Sequence, residues 1–266
     1  MASADFDPQA LLAEVSNLLG EAVQVLEHAW GPTAQVRHKG PADLVTDADL
    51  AVQRFLIPRL IGLLPGSVVV AEEEGQSTPA QGPLRWLVDP VDGTSNLVHG
   101  VRYVAISVAL ADDAGPILAG VQDVFGQRRY TAWRQHGAFV DGTQIHGSTV
   151  TSLANALVAC GTPYDKDRPS DVFSPLARVW QACHDLRIPG AAALELAQVA
   201  EGRLDAFFEG DLEPWDFAAG RLLVTEAGGT VTDWAGGPRT LERGGIVAAG
   251  RLVHGELLDI LTRTVG

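Results

Sequence analysis

A chain of 266 residues with a formal charge of −14 and only 19 Lys and Arg, spread along its length, lacks the clustered cations that a nucleic-acid backbone demands. Its 46% hydrophobic and 20% charged residues fit an ordinary globular protein, one large domain or two closely packed halves. No apolar run is long enough for a bilayer and no basic or apolar signal region is present, so a soluble cytoplasmic protein with buried free thiols at Cys160 and Cys183 is expected.

Asp7-Pro8 opens a helix, and Leu11, Leu12, Val15, Leu18, Leu19, Ala22, Val25 and Leu26 give it one apolar face as far as about Trp30. Residues 33–45 read as polar and irregular, with a turn at Gly40-Pro41. Thr46 and Asp49 have capping-box spacing, which predicts a helix over about 47–64 with a kink or break at Pro58. Asp47 and Asp49 are either first-turn acids favoured by the helix dipole or groups facing a site.

Residues 68–71 form a short apolar strand that ends in Glu72-Glu73-Glu74. Such acids are usually solvated, yet ligand sites in α/β folds lie just beyond the carboxyl ends of strands. A loop over 76–83 follows. The apolar run 84–88 then leads into Asp89-Pro90-Val91-Asp92-Gly93-Thr94-Ser95-Asn96. The spacing predicts a strand ending at Asp89, a turn through Pro90 and a helix starting near Gly93. That turn can aim two carboxylates and the first helical N–H groups at one point, suiting divalent cations and phosphate. A solvated Asp/Pro/Gly turn is the alternative.

Strands over 101–112, 116–124, 128–133 and 137–140 make a β-meander, with Arg128, Arg129 and His136 read as surface residues. A strand over 153–160, a loop over 161–170 and a helix over about 171–186 come next. Arg187-Ile188-Pro189-Gly190 leads into an alanine-rich segment over 191–197. A strand over 204–209 ends in Glu209, and a helix from Pro214 to about Ala227 carries Asp216 in its first turn. Strands near 230–233 and 246–249 and a last helix from about Leu252 close the chain, with no internal repeat or linker.

Asp89-Pro90-Val91-Asp92-Gly93-Thr94-Ser95-Asn96 matches Asp-Pro-x-Asp-Gly-Thr-x-Asn, the first signature of the inositol monophosphatase family of metal-dependent phosphatases. Trp215-Asp216-Phe217-Ala218-Ala219-Gly220, followed by Glu226-Ala227-Gly228-Gly229, matches the second. Lesser blocks at Asp43-Leu44-Val45-Thr46 with Asp49, at Glu72-Glu73 and at Gly190-Ala191-Ala192 come in the family's order. The sequence therefore resembles that family from about residue 37 to 250.

The resemblance implies an α/β fold of layered αβαβα sugar-phosphatase type, with residues 1–266 as a single catalytic domain and a homodimer as the assembly. It implies two or three Mg²⁺ ions. Glu72, Asp89 and the Val91 carbonyl would hold the first; Asp89, Asp92 and Asp216 the second; a third, weaker ion would sit near Glu72. Thr94, helped by Glu72 and Asp49, would orient the attacking water. Gly93, Thr94 and Ser95 would bind the substrate, with the N–H groups of Gly93 and Thr94 on the phosphate. Gly190, Ala191, Ala192 and Glu209 would line the alcohol pocket.

The implied activity is hydrolysis of a small polyol phosphate, myo-inositol 1-phosphate above all, with no nucleic-acid or membrane partner. Histidinol-phosphate phosphatases and fructose-1,6-bisphosphatases share both signatures and stay open as alternatives, as does a regulatory binding protein. Leu97 stands where many members have Phe. A gapless alignment from Pro41 places His38, not Lys39, where some members put a lysine near the metal loop.

Overall fold

The computed structural model describes residues 6–40, 43–73, 83–162, 167 and 169–262. Helix α1 (Pro8–Ala29) starts at Asp7, whose side chain accepts from the N–H groups of Gln9 and Ala10. Strands β1 (Val36–His38) and β2 (Leu44–Thr46) pair antiparallel, where the polar composition predicts irregular chain. All three β1 residues are exposed, so no hydrophobic alternation marks the strand. Helix α2 (Asp47–Leu63) carries both halves of the Thr46/Asp49 capping box and runs through Pro58 without a break.

Strands β3 (Val68–Ala71) and β4 (Arg85–Asp92) are parallel neighbours. The expected loop over 76–83 falls, but for residue 83, outside the described residues. Strand β4 does not end at Asp89: it continues to Asp92, with a register shift against β5 (Ala105–Asp112) between Asp89 and Asp92. Pro90 has no N–H for a ladder, and this irregularity is where a strand tolerates it. Short helix α3 (Thr94–His99) follows at once. The meander runs through β5, β6 (Gly115–Asp123), β7 (Arg129–Trp133), β8 (Ala138–Val140) and β9 (Thr143–Ile145). Arg128 and Arg129 are half-buried rather than free on the surface. Arg128 pairs with Glu201, and Arg129 donates to Gln122 Oε1 at 2.7 Å and Ser16 Oγ at 3.2 Å.

Strand β10 (Leu157–Cys160) is shorter than the apolar run before it, because residues 153–155 form a 3₁₀ turn. The helix expected over 171–186 is helix α4 (Pro169–Ala182) followed by strand β11 (Asp185–Arg187), which pairs with β10. Helix α5 (Ala192–Ala200), strand β12 (Ala206–Leu212), helix α6 (Pro214–Glu226), strands β13 (Thr230–Thr232) and β14 (Gly244–Ala249) and helix α7 (His254–Thr262) complete the order.

Among the described residues the strands make two large sheets, β3-β4-β5-β6-β7-β8-β9 and β11-β10-β12-β14-β13, beside the β1-β2 pair. Helices α1 and α2 cover the outer face of the first sheet, α5 and α6 lie between the sheets, and α4 and α7 cover the second. This is the αβαβα layering. Strand β5 is buried along nearly its whole length because helices cover both faces of its sheet, which erases the alternation of a half-exposed strand. Trp86, Tyr130, Phe207 and Phe217 are fully buried. Burying such a side chain stabilises by about 1.5–3 kcal/mol, offset by chain entropy.

Candidate active site

Parallel pairing brings the carboxyl end of β3 beside the middle of β4, with Ala71 opposite Val88 and Glu72 N–H donating to the Val88 carbonyl at 3.2 Å. Glu72 and Asp89 therefore leave two neighbouring strands at the same level. The Val91 N–H donates to Asp89 Oδ1 at 3.0 Å, which folds the bulged end of β4 back on its own carboxylate. Gly93 then takes φ +94° and starts α3. A Cβ there would be strained by the backbone and would lie 2.9 Å from the Tyr103 carbonyl.

Asp49, fully buried at the start of α2, reaches this turn from another layer. The Thr94 hydroxyl lies 2.8 Å from Asp49 Oδ1 and 3.0 Å from the Val91 carbonyl. Thr46 donates to Asp49 Oδ2 through its N–H at 2.9 Å and through its hydroxyl. The capping box thus serves two purposes: it starts the helix and holds Asp49 as an acceptor for Thr94.

Asp92 Oδ2 accepts from the Leu194 N–H at 3.1 Å, so the first turn of α5 fixes its direction. Asp216 Oδ2 accepts from the Glu213 N–H at 2.8 Å, the reciprocal half of the capping box that starts α6. Two helices of the central layer therefore bring a carboxylate or its donor to the end of β4. Asn96 Nδ2 donates to the carbonyls of Tyr103 at 2.9 Å and Pro189 at 2.8 Å, stapling α3 to the Pro189-Gly190 corner. Ala191 and Ala192 are buried behind that corner, Gly190 is exposed, and Ser95 is exposed on α3.

These acids act on one another. Burial first, then Glu72, Asp92 and Asp216, push the Asp89 carboxyl well above the ordinary range. Burial and Glu72 do the same to Asp216. Glu72 is raised mainly by burial and shares a hydrogen bond with Asp89, which needs a proton on one of the two. Burial raises Asp92 to about 7 even against the backbone donors of α5. Glu209 rises to about 8, through burial and then Asp92. No side-chain hydrogen bond to its carboxyl is formed among the described residues; Gly161 packs against it, where a Cβ would clash with Oε2.

Lys39 brings a cation into the cluster. Its Nζ lies 2.8 Å from Glu72 Oε1 and 2.9 Å from Glu73 Oε1. Burial opposes its charge, but Glu72 and Glu73 outweigh that and hold its pKa above the ordinary lysine range. Lys39, not the exposed His38 of the gapless alignment, is thus the basic residue at this loop.

Among the described residues, no three acidic, His or Cys side chains close into a finished metal cage. Each of three acids is instead held by a backbone donor: Asp89 by Val91, Asp92 by Leu194 and Asp216 by Glu213. The donor set still fits a hard divalent cation. It is all oxygen and crowded with acids whose neutral forms are favoured by burial and by one another's charge, which a bound cation would offset. Glu72, Asp89, Asp92, Asp216, Asp49, Thr94 and Gly93 converge at one end of β4, with Glu209 near Asp92. Sequence reasoning missed the role of Asn96, although it stands inside the first signature. It also missed Glu195, buried in α5, whose Oε1 accepts from the Gly190 N–H at 3.1 Å. A lone acid in an alanine-rich helix gives no signal of a contact five residues back.

The model of the inositol monophosphatase family matches residues 7–265. An inositol-1-monophosphatase of Rhizobium meliloti is 37% identical over 232 residues, 87% of each chain. The Nus factor SuhB of Escherichia coli K12 is 37% identical over 215 residues, 80% of each chain. The crystal structure of the extragenic suppressor protein suhB of Bartonella henselae superposes with a TM-score of 0.91 at 31% identity, over 96% of this chain and 100% of that one. The chain belongs to the inositol monophosphatase family and is a phosphoric monoester hydrolase.

Proposed function

We propose that the chain, acting as one catalytic unit, is a Mg²⁺-dependent phosphatase of small polyol phosphates, with myo-inositol 1-phosphate as its first substrate. The observation that carries this reading is the convergence of Glu72, Asp89, Asp92 and Asp216 beside the Thr94–Asp49 pair, with the buried Glu209 carboxyl close to Asp92. Glu72, Asp89 and the Val91 carbonyl would hold one ion, and Asp89, Asp92 and Asp216 another, with a third, weaker ion near Glu72. What bound Mg²⁺ would supply is neutralisation of phosphate charge and easier deprotonation of water.

The chain's own residues do the rest. Thr94, supported by Asp49 and Glu72, orients the attacking water. Gly93, Thr94 and Ser95, at the start of α3, take the phosphate, where the first N–H groups of a helix have no intrahelical acceptors. Gly190, Ala191, Ala192 and Glu209 receive the alcohol. A carboxyl raised to about 8 can both donate to and accept from hydroxyl groups.

The proposed assembly is a homodimer. Phe173 and Trp180 on α4 and Ile188 beside β11 are each more than half exposed, which supports a second copy covering them. A monomer in analytical ultracentrifugation at micromolar concentration would remove that element. For the activity, the test is phosphate release at saturating Mg²⁺ from inositol 1-phosphate, histidinol phosphate, fructose 1,6-bisphosphate and an adenosine 3′-phosphate. Fastest turnover of the inositol ester is expected; preference for histidinol phosphate would reassign the substrate.

A further inference from the structure

Trp234 lies in the segment between β13 and β14, outside both signatures. Strands β12 and β14 pair antiparallel, but their register shifts between Glu209 and Leu212. At that shift the Trp234 indole N–H donates to the Glu209 carbonyl at 2.9 Å and to the Ile246 carbonyl at 3.2 Å. Both strands make room for the ring with glycine. A Cβ on Gly245 would lie 2.5 Å from the indole Cδ1, and one on Gly210 3.7 Å from Cζ2. Phe208 meets the ring edge-on, with centroids 6.2 Å apart.

Trp234 stands on the far side of the sheet from the pocket. Phe208 and Trp234 belong to the outer core under α4 and α7, whereas Phe207 faces the central layer. Side chains alternate along a strand, so Glu209 projects with Phe207, away from the indole. We propose that Trp234 is a positioning residue: its N–H plugs the β12–β14 irregularity and fixes the backbone from which Glu209 reaches the substrate alcohol. This rests on the reading of Glu209 as a pocket residue. The segment has independent anchors, since Arg239 stacks 3.9 Å over the Phe217 ring and Arg243 holds Asp211 at 2.7 Å. Loss of the indole N–H alone therefore leaves the segment in place.

Trp234→Phe keeps the ring and removes the donor. The expected result, at saturating Mg²⁺, is a KM for myo-inositol 1-phosphate raised about fivefold, as for one lost neutral hydrogen bond. The kcat for that ester and the kcat/KM for p-nitrophenyl phosphate stay within about twofold. In a Glu209→Gln background the same change adds no further rise, because both act through one group. An unchanged KM, equal losses on both esters, or a full effect in the Glu209→Gln background would each overturn the proposal. Wild-type protein that cleaves the aryl ester but not the inositol ester would overturn the pocket reading beneath it, and inertness towards both would overturn the phosphatase reading itself. Independently of turnover, the Trp234 indole proton, assigned by NMR against Trp234→Phe, exchanges slowly if the plug exists; exchange as fast as an exposed indole contradicts it.

Discussion

The Thr94 hydroxyl lies 2.8 Å from Asp49 Oδ1, although 45 residues separate the two. Asp49 has its other oxygen held by Thr46, so it stays an acceptor and draws the single hydroxyl proton of Thr94. The lone pairs of Thr94 are then free to align a water. Thr94→Ala should lower kcat by about 10²- to 10⁴-fold, the usual range for a positioned proton acceptor, while Thr94→Ser keeps most of the rate. Steady-state kinetics at saturating Mg²⁺ check this. A Thr94→Ala enzyme as fast as wild type would remove Thr94 from the mechanism.

Glu209→Ala should discriminate between substrates. The Glu209 carboxyl is buried against Gly161, and no side chain among the described residues hydrogen-bonds to it. Its loss should lower kcat/KM for inositol 1-phosphate by about ten- to a hundredfold, the worth of a hydrogen bond with a charged or strongly polar group. An aryl phosphate, which has no hydroxyl for Glu209, should lose less. Parallel losses on the two esters would make Glu209 a structural residue.

The acid cluster also sets how stability depends on pH without metal. Burial and neighbouring acids raise Asp92 to about 7 and Glu209 to about 8, and push Glu72, Asp89 and Asp216 upward. An unfolded carboxyl titrates near pH 4. Acids raised in the folded state make their full contribution below about pH 4 and lose it as pH climbs through 7 and 8. Calorimetry in chelator should therefore show Tm falling between pH 6 and pH 8, and Mg²⁺ should raise Tm more at pH 8 than at pH 6. A metal-free Tm that rises over this interval would contradict the crowding of these acids.

The helices with local punctuation were legible in the sequence. Asp7-Pro8 and the Thr46/Asp49 capping box name their own starts, and both appear in place. Both signatures locate the acids because the chemistry needs fixed residue types at fixed spacing. What escaped depends on partners that local periodicity does not reveal. Strand β1 is exposed throughout and exists only because β2 pairs with it. Strand β11 reads as helix until β10 lies beside it. Lys39 finds Glu72 and Glu73 more than thirty positions away. No periodicity in a polar stretch points to such a meeting, and none points to the indole of Trp234 on the Glu209 carbonyl.

The most direct test is phosphate release from inositol 1-phosphate as a function of Mg²⁺, for wild type and for Asp89→Asn. Asp89 stands at the centre of the acid cluster, coupled to Glu72, Asp92 and Asp216. A bound cation supplies several kcal/mol of charge stabilisation, which at about 1.4 kcal/mol per factor of ten is a change of about 10³-fold. Wild type should release phosphate only with Mg²⁺, and Asp89→Asn should fall by about that factor at every Mg²⁺ concentration. Undiminished turnover by Asp89→Asn would contradict the assignment of these carboxylates to the metal.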